Sequence, residues 1–210
     1  MELDHNSRRG LIFVICAPSG TGKSTLIKRL MDEFPDFGFS ISYTTREPRG
    51  REQNGREYHF VSRESFEAMR SRGEFAEWAE VHGNYYGTAV APVQALLAQG
   101  KDALFDIDVQ GALQLKKVFV DGVFVFLLPP SREELEQRLR SRGTDSDEAI
   151  AKRLGNSLGE LKLAGEFDHW IVNNDLEKAY SELRAVYLAG RTTPAAQPGL
   201  LEKIVDGWEK

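Results

Sequence analysis

The apolar run Leu11-Ile12-Phe13-Val14-Ile15-Cys16 leads directly into Ala17-Pro18-Ser19-Gly20-Thr21-Gly22-Lys23-Ser24. A stretch from Thr25 to Glu33 follows, with Leu26, Ile27 and Leu30 at helical spacing. A buried strand, a glycine-rich turn and a helix start in that order call for an α/β sheet, and they form the context in which such a turn holds phosphate. Glycines let backbone N–H groups converge on an anion, and the helix N-terminus adds partial positive charge. Lys23 then reaches the β- and γ-phosphates of a nucleotide, and the Ser24 hydroxyl is a ligand for Mg²⁺. The residues from Ala17 to Thr25 are therefore the candidate ATP-binding loop. One position departs from the strict pattern: Ala17 stands where glycine is asked for, so the turn there must accommodate a Cβ. The plainer alternative, a glycine turn that happens to contain a lysine, leaves the agreement of strand, Gly22, Lys23, Ser24 and helix unexplained.

The chain has 210 residues, enough for one α/β domain with inserted lobes and a sizeable core. A net charge of -5 argues against a broad nucleic-acid footprint, so basic clusters must serve a small anionic ligand. Cys16 is the only cysteine and sits in the apolar strand, where a thiol is structural. No long apolar span is present, and the first ten residues carry charge where a signal peptide needs apolar ones. The expectation is a cytoplasmic protein without membrane contact. His5, His59, His82 and His169 lie too far apart for metal spacing.

Along the chain, Pro35 ends the first helix. From Phe39 to Phe60 the sequence turns polar, turn-rich and mostly basic, which reads as an excursion from the core. Arg63 to Ser71 has the pattern of a short helix, and Glu74 to Val81 alternates as a half-buried strand does. With Tyr85 to Thr88 it makes a small antiparallel lobe, and a helix from Val90 to Gln99 closes the excursion. Ala103 to Asp108 returns as a core strand with Asp106 and Asp108 at its carboxyl end, where open α/β sheets bind ligands. Gly122 to Leu128 is the next strand. Ser131 caps a helix to Arg142, and a second helix runs to about Leu163. Trp170 to Val172 is the last core strand, Leu176 to Leu188 an amphipathic helix, and Leu200 to Trp208 a short amphipathic tail.

The motifs APSGTGKST, SYTTREPR, NGREYHFV, GEFAEWA, GNYYGT, LFDIDVQG, LLPPS, RLRSRGTD and VNND occur in this order from Leu11 to Leu188. In that order and spacing the chain resembles the guanylate kinases, nucleoside monophosphate kinases that phosphorylate GMP with ATP. The resemblance implies a parallel-sheet core of P-loop NTPase type, flanked by helices. Residues 1–38, 101–130 and 166–190 would form that core. Residues 39–100 would be an inserted mixed β/α lobe for the nucleoside monophosphate, 131–165 a helical lid and 191–210 a tail. It further implies that Arg46 and Arg49, with the hydroxyls of Tyr58 and Tyr86, grip the GMP phosphate. Glu77 would read guanine, with Ser42 and Thr88 completing the base pocket. Asp106 would face Mg²⁺ and its waters, Asp108 the guanosine side, and Asn173 the adenine of ATP. Lys23, Arg46, Arg138, Arg142 and Arg153 would be the catalytic cations. The partners implied are ATP, GMP and Mg²⁺, and a homo-oligomer is left open.

Two other functions share much of this pattern. One is a non-catalytic module of the same shape that grips a phosphorylated peptide; the retained Lys23, Ser24, Arg138, Arg142 and Arg153 speak against it. The other is a kinase with a sugar-phosphate acceptor, which would not need Glu77 or Ser42.

Overall fold

The computed structural model describes residues 8–209 apart from 39, 82, 142, 144 and 145. Its first strand, β1 (Ile12–Cys16), is buried along its whole length. Alternate side chains enter two separate clusters: Ile12, Val14 and Cys16 on one face, Phe13 and Ile15 on the other. A strand apolar on both faces needs helices on both, and the chain supplies them. Helix α1 (Lys23–Glu33) covers the second face with Leu26, Ile27 and Leu30.

An excursion follows, made of β2 (Tyr43–Thr44), β3 (His59–Phe60), helix α2 (Arg63–Ser71), β4 (Phe75–Val81) and β5 (Asn84–Ala89). These strands form their own sheet in the order β3-β2-β5-β4. The sheet is mixed, because β2 and β3 pair in parallel while β5 runs antiparallel to β2 and β4. The antiparallel pairing expected between Glu74–Val81 and Tyr85–Thr88 is that of β4 and β5. Phe66 of α2 stacks on Phe75 and Tyr85, with ring centroids 4.3 and 5.2 Å apart, and this aromatic group is the lobe's small core.

Helix α3 (Val90–Ala98) follows β5 without a break. The sequence reading puts it in the lobe, but its Val93 and Leu97 are buried in the main core beside β1 and β6 (Ala103–Asp106). The sequence reading also runs β6 on to Asp108. Instead the strand ends at Asp106, and Asp108 is the N-cap of a helix the sequence reading missed, α4 (Val109–Val118). Asp108 Oδ1 accepts the N–H groups of Gln110 and Gly111 at 2.8 and 3.0 Å. The cue was present in Val109, Ala112 and Leu115, which face the core at helical spacing.

The remaining elements are β7 (Val123–Leu128), α5 (Arg132–Ser141), α6 (Asp147–Leu161), β8 (His169–Val172), α7 (Leu176–Gly190) and α8 (Leu200–Trp208). The main sheet has the order β6-β1-β7-β8 with every pair parallel. Helices α1 and α7 cover one face, and α3 and α4 the other. Since β1 hands on to one face and β6 to the opposite one, their loops part at the carboxyl edge and leave a crevice there. Helices α5 and α6 have a separate apolar contact through Leu135, Leu139, Ile150 and Leu154. Among the described residues no helix is long and apolar enough to cross a membrane.

At the opposite, amino edge of the sheet, Asp102 is 3% exposed. Arg8 grips its carboxylate with two bonds of 2.6 and 2.9 Å, while the Leu11 N–H and the Tyr187 hydroxyl donate at 2.7 and 2.6 Å. Asp102→Ala would strand a half-buried guanidinium, a buried N–H and a phenol together. We expect it to cost about 3–5 kcal/mol of stability, measurable as a lower urea midpoint with an unchanged slope. A loss under about 1 kcal/mol would mean the pair behaves like a solvated surface bridge.

Candidate active site

Helices α2, α4, α6 and α7 each begin with a side chain accepting from their first-turn N–H groups: Ser62, Asp108, Ser146 and Asp175. Helix α1 has no such cap and no acidic residue in its first turn. Its N-cap is Gly22, at φ 99°, and Gly20 is also left-handed, at φ 96°. Both positions need glycine. The tight turn is closed by the Thr21 N–H donating to the Pro18 carbonyl at 3.2 Å. Ala17, by contrast, tucks its methyl against the core face that holds α1 and α7, so its Cβ is accommodated by packing. The open N–H groups of α1 are thus left for an anion from outside.

A cleft of ≈ 440 Å³ opens over this loop. Of the residues expected there, Ala17, Pro18, Ser19, Gly20, Gly22, Lys23, Ser24, Thr25, Asp106 and Asp108 line it. Thr21 does not: it is fully buried, and its hydroxyl is sealed in without a partner. Lys23 Nζ lies 2.5 Å from Asp106 Oδ1 and donates to the Ile107 carbonyl at 3.4 Å. Cys16 stays out of the chemistry: its thiol donates to the Ile107 carbonyl at 3.2 Å, and burial pushes it up to about 12. Among the described residues no group of three His, Cys, Asp or Glu could hold a metal by itself.

Asn173 also lies off the cleft. Buried behind the loop, it donates its side-chain amide to the Thr21 carbonyl at 2.7 Å. Of the expected lid arginines, Arg153 reaches the loop and Arg138 reaches Asn173 behind it. Arg153 Nη1 donates to Ser19 Oγ at 3.4 Å, and Arg138 Nη1 to the Asn173 carbonyl at 3.0 Å, with its Nε on Glu134 at 2.9 Å. Arg142 lies outside the described residues. Sequence reasoning passed over Glu160, near the end of α6, which lines the same cleft with one carboxylate oxygen shielded from solvent and unbonded. Burial raises its carboxyl, opposed by the Lys23 charge. A single glutamate on a charged helix carries no sequence signal for this.

The lobe presents a second polar group. Thr88 Oγ1 donates to Glu77 Oε1 at 2.6 Å and lies 3.5 Å from Ser42 Oγ. These hydroxyls and the carboxylate come from different lengths of chain: β4 and β5 are paired with Glu77 opposite Thr88, and Ser42 precedes β2. Burial raises the Glu77 carboxyl, with the Asp108 charge adding to the effect and the Thr88 bond opposing it. The first turn of α4 lies between the two sites: Asp108 lines the loop cleft, while a Cβ on Gly111 would stand 3.4 Å from Glu77 Oε2. Gln114, also on α4, fastens the lobe by exchanging two 3.1 Å bonds with the Trp78 backbone.

Arg46 is not free. Both its terminal nitrogens bond Glu52, at 3.0 Å each, and its guanidinium lies 5.5 Å from the Tyr58 ring centroid. Tyr86 packs edge-on against Tyr58 at 5.9 Å. Glu52 also accepts the Arg49 N–H at 2.7 Å, and these donors hold its carboxyl below the usual range. The Arg49 side chain is exposed.

A sequence model of the guanylate kinase family matches residues 9–189. The chain belongs to the guanylate kinase family. A guanylate kinase of Oleidesulfovibrio alaskensis is 56% identical over 96% of this chain and 98% of its own length. One of Nitratidesulfovibrio vulgaris is also 56% identical, over 96% and 97%. The crystal structure of guanylate kinase from Anaplasma phagocytophilum superimposes with a TM-score of 0.66 at 32% identity, covering 94% of this chain and 95% of that one. Family membership accounts for an α/β core with parallel strands.

The raised Glu77 carboxyl gives a signed prediction. The native state keeps this proton to higher pH than the unfolded chain, so stability falls as pH rises from the ordinary carboxylate value through the raised one. Glu77→Gln removes that slope while keeping an acceptor for Thr88. Thermal unfolding of the two forms should converge at low pH. Above the raised value the variant should be the more stable, by about 1.4 kcal/mol for each tenfold gain in proton affinity. A variant less stable by a constant amount at every pH would contradict burial as the cause.

Proposed function

We propose that the chain transfers the γ-phosphoryl group of ATP to the 5′-phosphate of GMP, giving ADP and GDP, and that the two sites described above are its donor and acceptor pockets. The reaction is that of the family to which the chain belongs. The observation that carries the choice of acceptor is Glu77, a half-buried carboxylate with one oxygen on Thr88 and the other facing the start of α4. Such a group accepts the N1–H and the N2 amine of guanine together, and adenine offers neither donor on that edge. A buried carboxylate left unpaired by the wrong base is costly, so discrimination of about 10⁴ is within reach.

In the donor cleft, the uncapped α1 N-terminus takes the phosphate chain and Lys23 bridges the transferring group. The Ser24 hydroxyl and the Asp106 carboxylate line the same cleft, and hard oxygen donors of this kind fit Mg²⁺, with nucleotide phosphates and water completing its shell. When bound with ATP the ion neutralises charge on the β- and γ-phosphates. The acceptor oxygen is already anionic, so no residue is required as general base. The barrier is one of alignment and charge repulsion, which Lys23, Arg46, Arg138 and Arg153 address. The lobe of β2–β5 and α2, without the core-bound α3, and the helices α5 and α6 act as the two moving parts that close on the substrates and expel water. Lys23 in the donor cleft, with Arg153 on Ser19 at its loop, disfavours a purely binding role.

An ADP-release assay with Mg-ATP should show turnover with GMP and little with AMP, UMP or ribose phosphates. Glu77→Gln should lower kcat/KM for GMP by about 10³ and leave the KM for ATP nearly unchanged. Equal damage to both sites would sink its assignment to the acceptor base. Lys23→Met should cut kcat by about 10³ while GMP still binds with its normal affinity in calorimetry.

A further inference from the structure

We propose that Asn173 is a positioning residue of the phosphate-binding loop: its side-chain amide fixes the Thr21–Gly22 peptide so that the Gly22 N–H points into the cleft, and its main-chain carbonyl holds the Arg138 guanidinium. The inference rests on the donor cleft holding a polyphosphate.

Three bonds define the residue. Its own N–H donates to the Leu128 carbonyl at 2.9 Å, which continues the β7–β8 pairing and fixes Asn173 to the rigid sheet. Its Nδ2 donates to the Thr21 carbonyl at 2.7 Å, a buried contact spanning 152 positions of sequence. Its carbonyl accepts from Arg138 Nη1 at 3.0 Å.

The consequence follows from the peptide bond. In a planar trans peptide the carbonyl and the next N–H point in opposite directions. Holding the Thr21 oxygen toward Asn173, behind the loop, turns the Gly22 N–H to the opposite side, and Gly22 lines the cleft while Thr21 and Asn173 do not. A Cβ on Gly22 would stand 2.4 Å from Asn173 Nδ2. The glycine is therefore required twice, by its left-handed φ and by the amide that fills the place of its side chain. Glu134, bonded to Arg138 Nε, leaves that guanidinium a fixed angle of approach. One residue thus ties the loop that binds the phosphates to an arginine of the lid and refers both to the sheet.

The test separates loop positioning from adenine reading. Dissociation constants for Mg-ATP, for inorganic tripolyphosphate with Mg²⁺ and for GMP would be measured by calorimetry on the wild type, Asn173→Ala and Asn173→Asp. Circular dichroism would check that each variant folds. We expect ATP and tripolyphosphate to weaken by the same factor, about tenfold for a lost buried hydrogen bond, with GMP unchanged. The aspartate variant, which sets a carboxylate against the Thr21 carbonyl, should be the worse of the two. The alanine variant adds no charge and keeps the test decisive if the aspartate variant does not fold. If ATP weakens and tripolyphosphate does not, Asn173 reads the base and the proposal falls. It falls equally if GMP weakens in parallel, which marks general damage, or if no constant moves. A wild type that binds tripolyphosphate but does not phosphorylate GMP would overturn the proposed reaction and leave this inference standing.

Discussion

Everything at the donor end depends on one unmet requirement, the N–H groups that open helix α1 with no side chain to accept them. A helix end without a cap is destabilised by its own orphan donors. Here the defect is tolerated because the rest of the unit is over-determined: β1 is buried on both faces, α1 is packed by Leu26, Ile27 and Leu30, and the loop is closed at Pro18. The other end of the same sheet shows the opposite treatment. Around Asp102, Arg8, the Leu11 N–H and the Tyr187 hydroxyl satisfy one another without any ligand. Stability is concentrated at the amino edge and chemistry at the carboxyl edge, and the strands between them keep the two apart.

The main sheet was legible because its strands are short apolar runs bounded by glycine or proline, and β1, β7 and the loop between β1 and α1 fall where the patterning puts them. What the sequence hid has a common cause. Helix α4 was overlooked because Asp106 and Asp108, two residues apart, suggest one strand carrying both; a single backbone turn between them makes the first a strand end and the second a cap. Helix α3 was grouped with the lobe because it is contiguous with it in sequence, whereas burial of Val93 and Leu97 ties it to the core. In both cases linear adjacency was a poor guide to packing.

The functional residues divide in the same way. Lys23 and Ser24 were singled out by the chemistry of their own loop, Glu77 and Thr88 only by the family resemblance, and the fold brings the members of each pair together. Asn173 could be found but not understood: from sequence it is a polar residue after a strand, and only the fold brings it to Thr21. Glu160 had no cue, since a glutamate on a polar helix is ordinary until the helix is seen to end over the phosphate loop. Contacts made across the chain are where sequence reading reaches its limit.

The fork between Arg46 and Glu52 has a consequence for the resting protein. A bare guanidinium in the acceptor pocket would be a sink for any passing anion. The Arg46 cation is already satisfied by a tethered carboxylate, so on the function proposed above an incoming phosphate would have to displace Glu52. Occupancy becomes an exchange of one oxyanion for another, in which a simple inorganic anion gains little. A phosphate held at its far end by a matched base has the extra binding that drives the exchange. On the proposed function, the fork thus favours a whole nucleotide over its fragments.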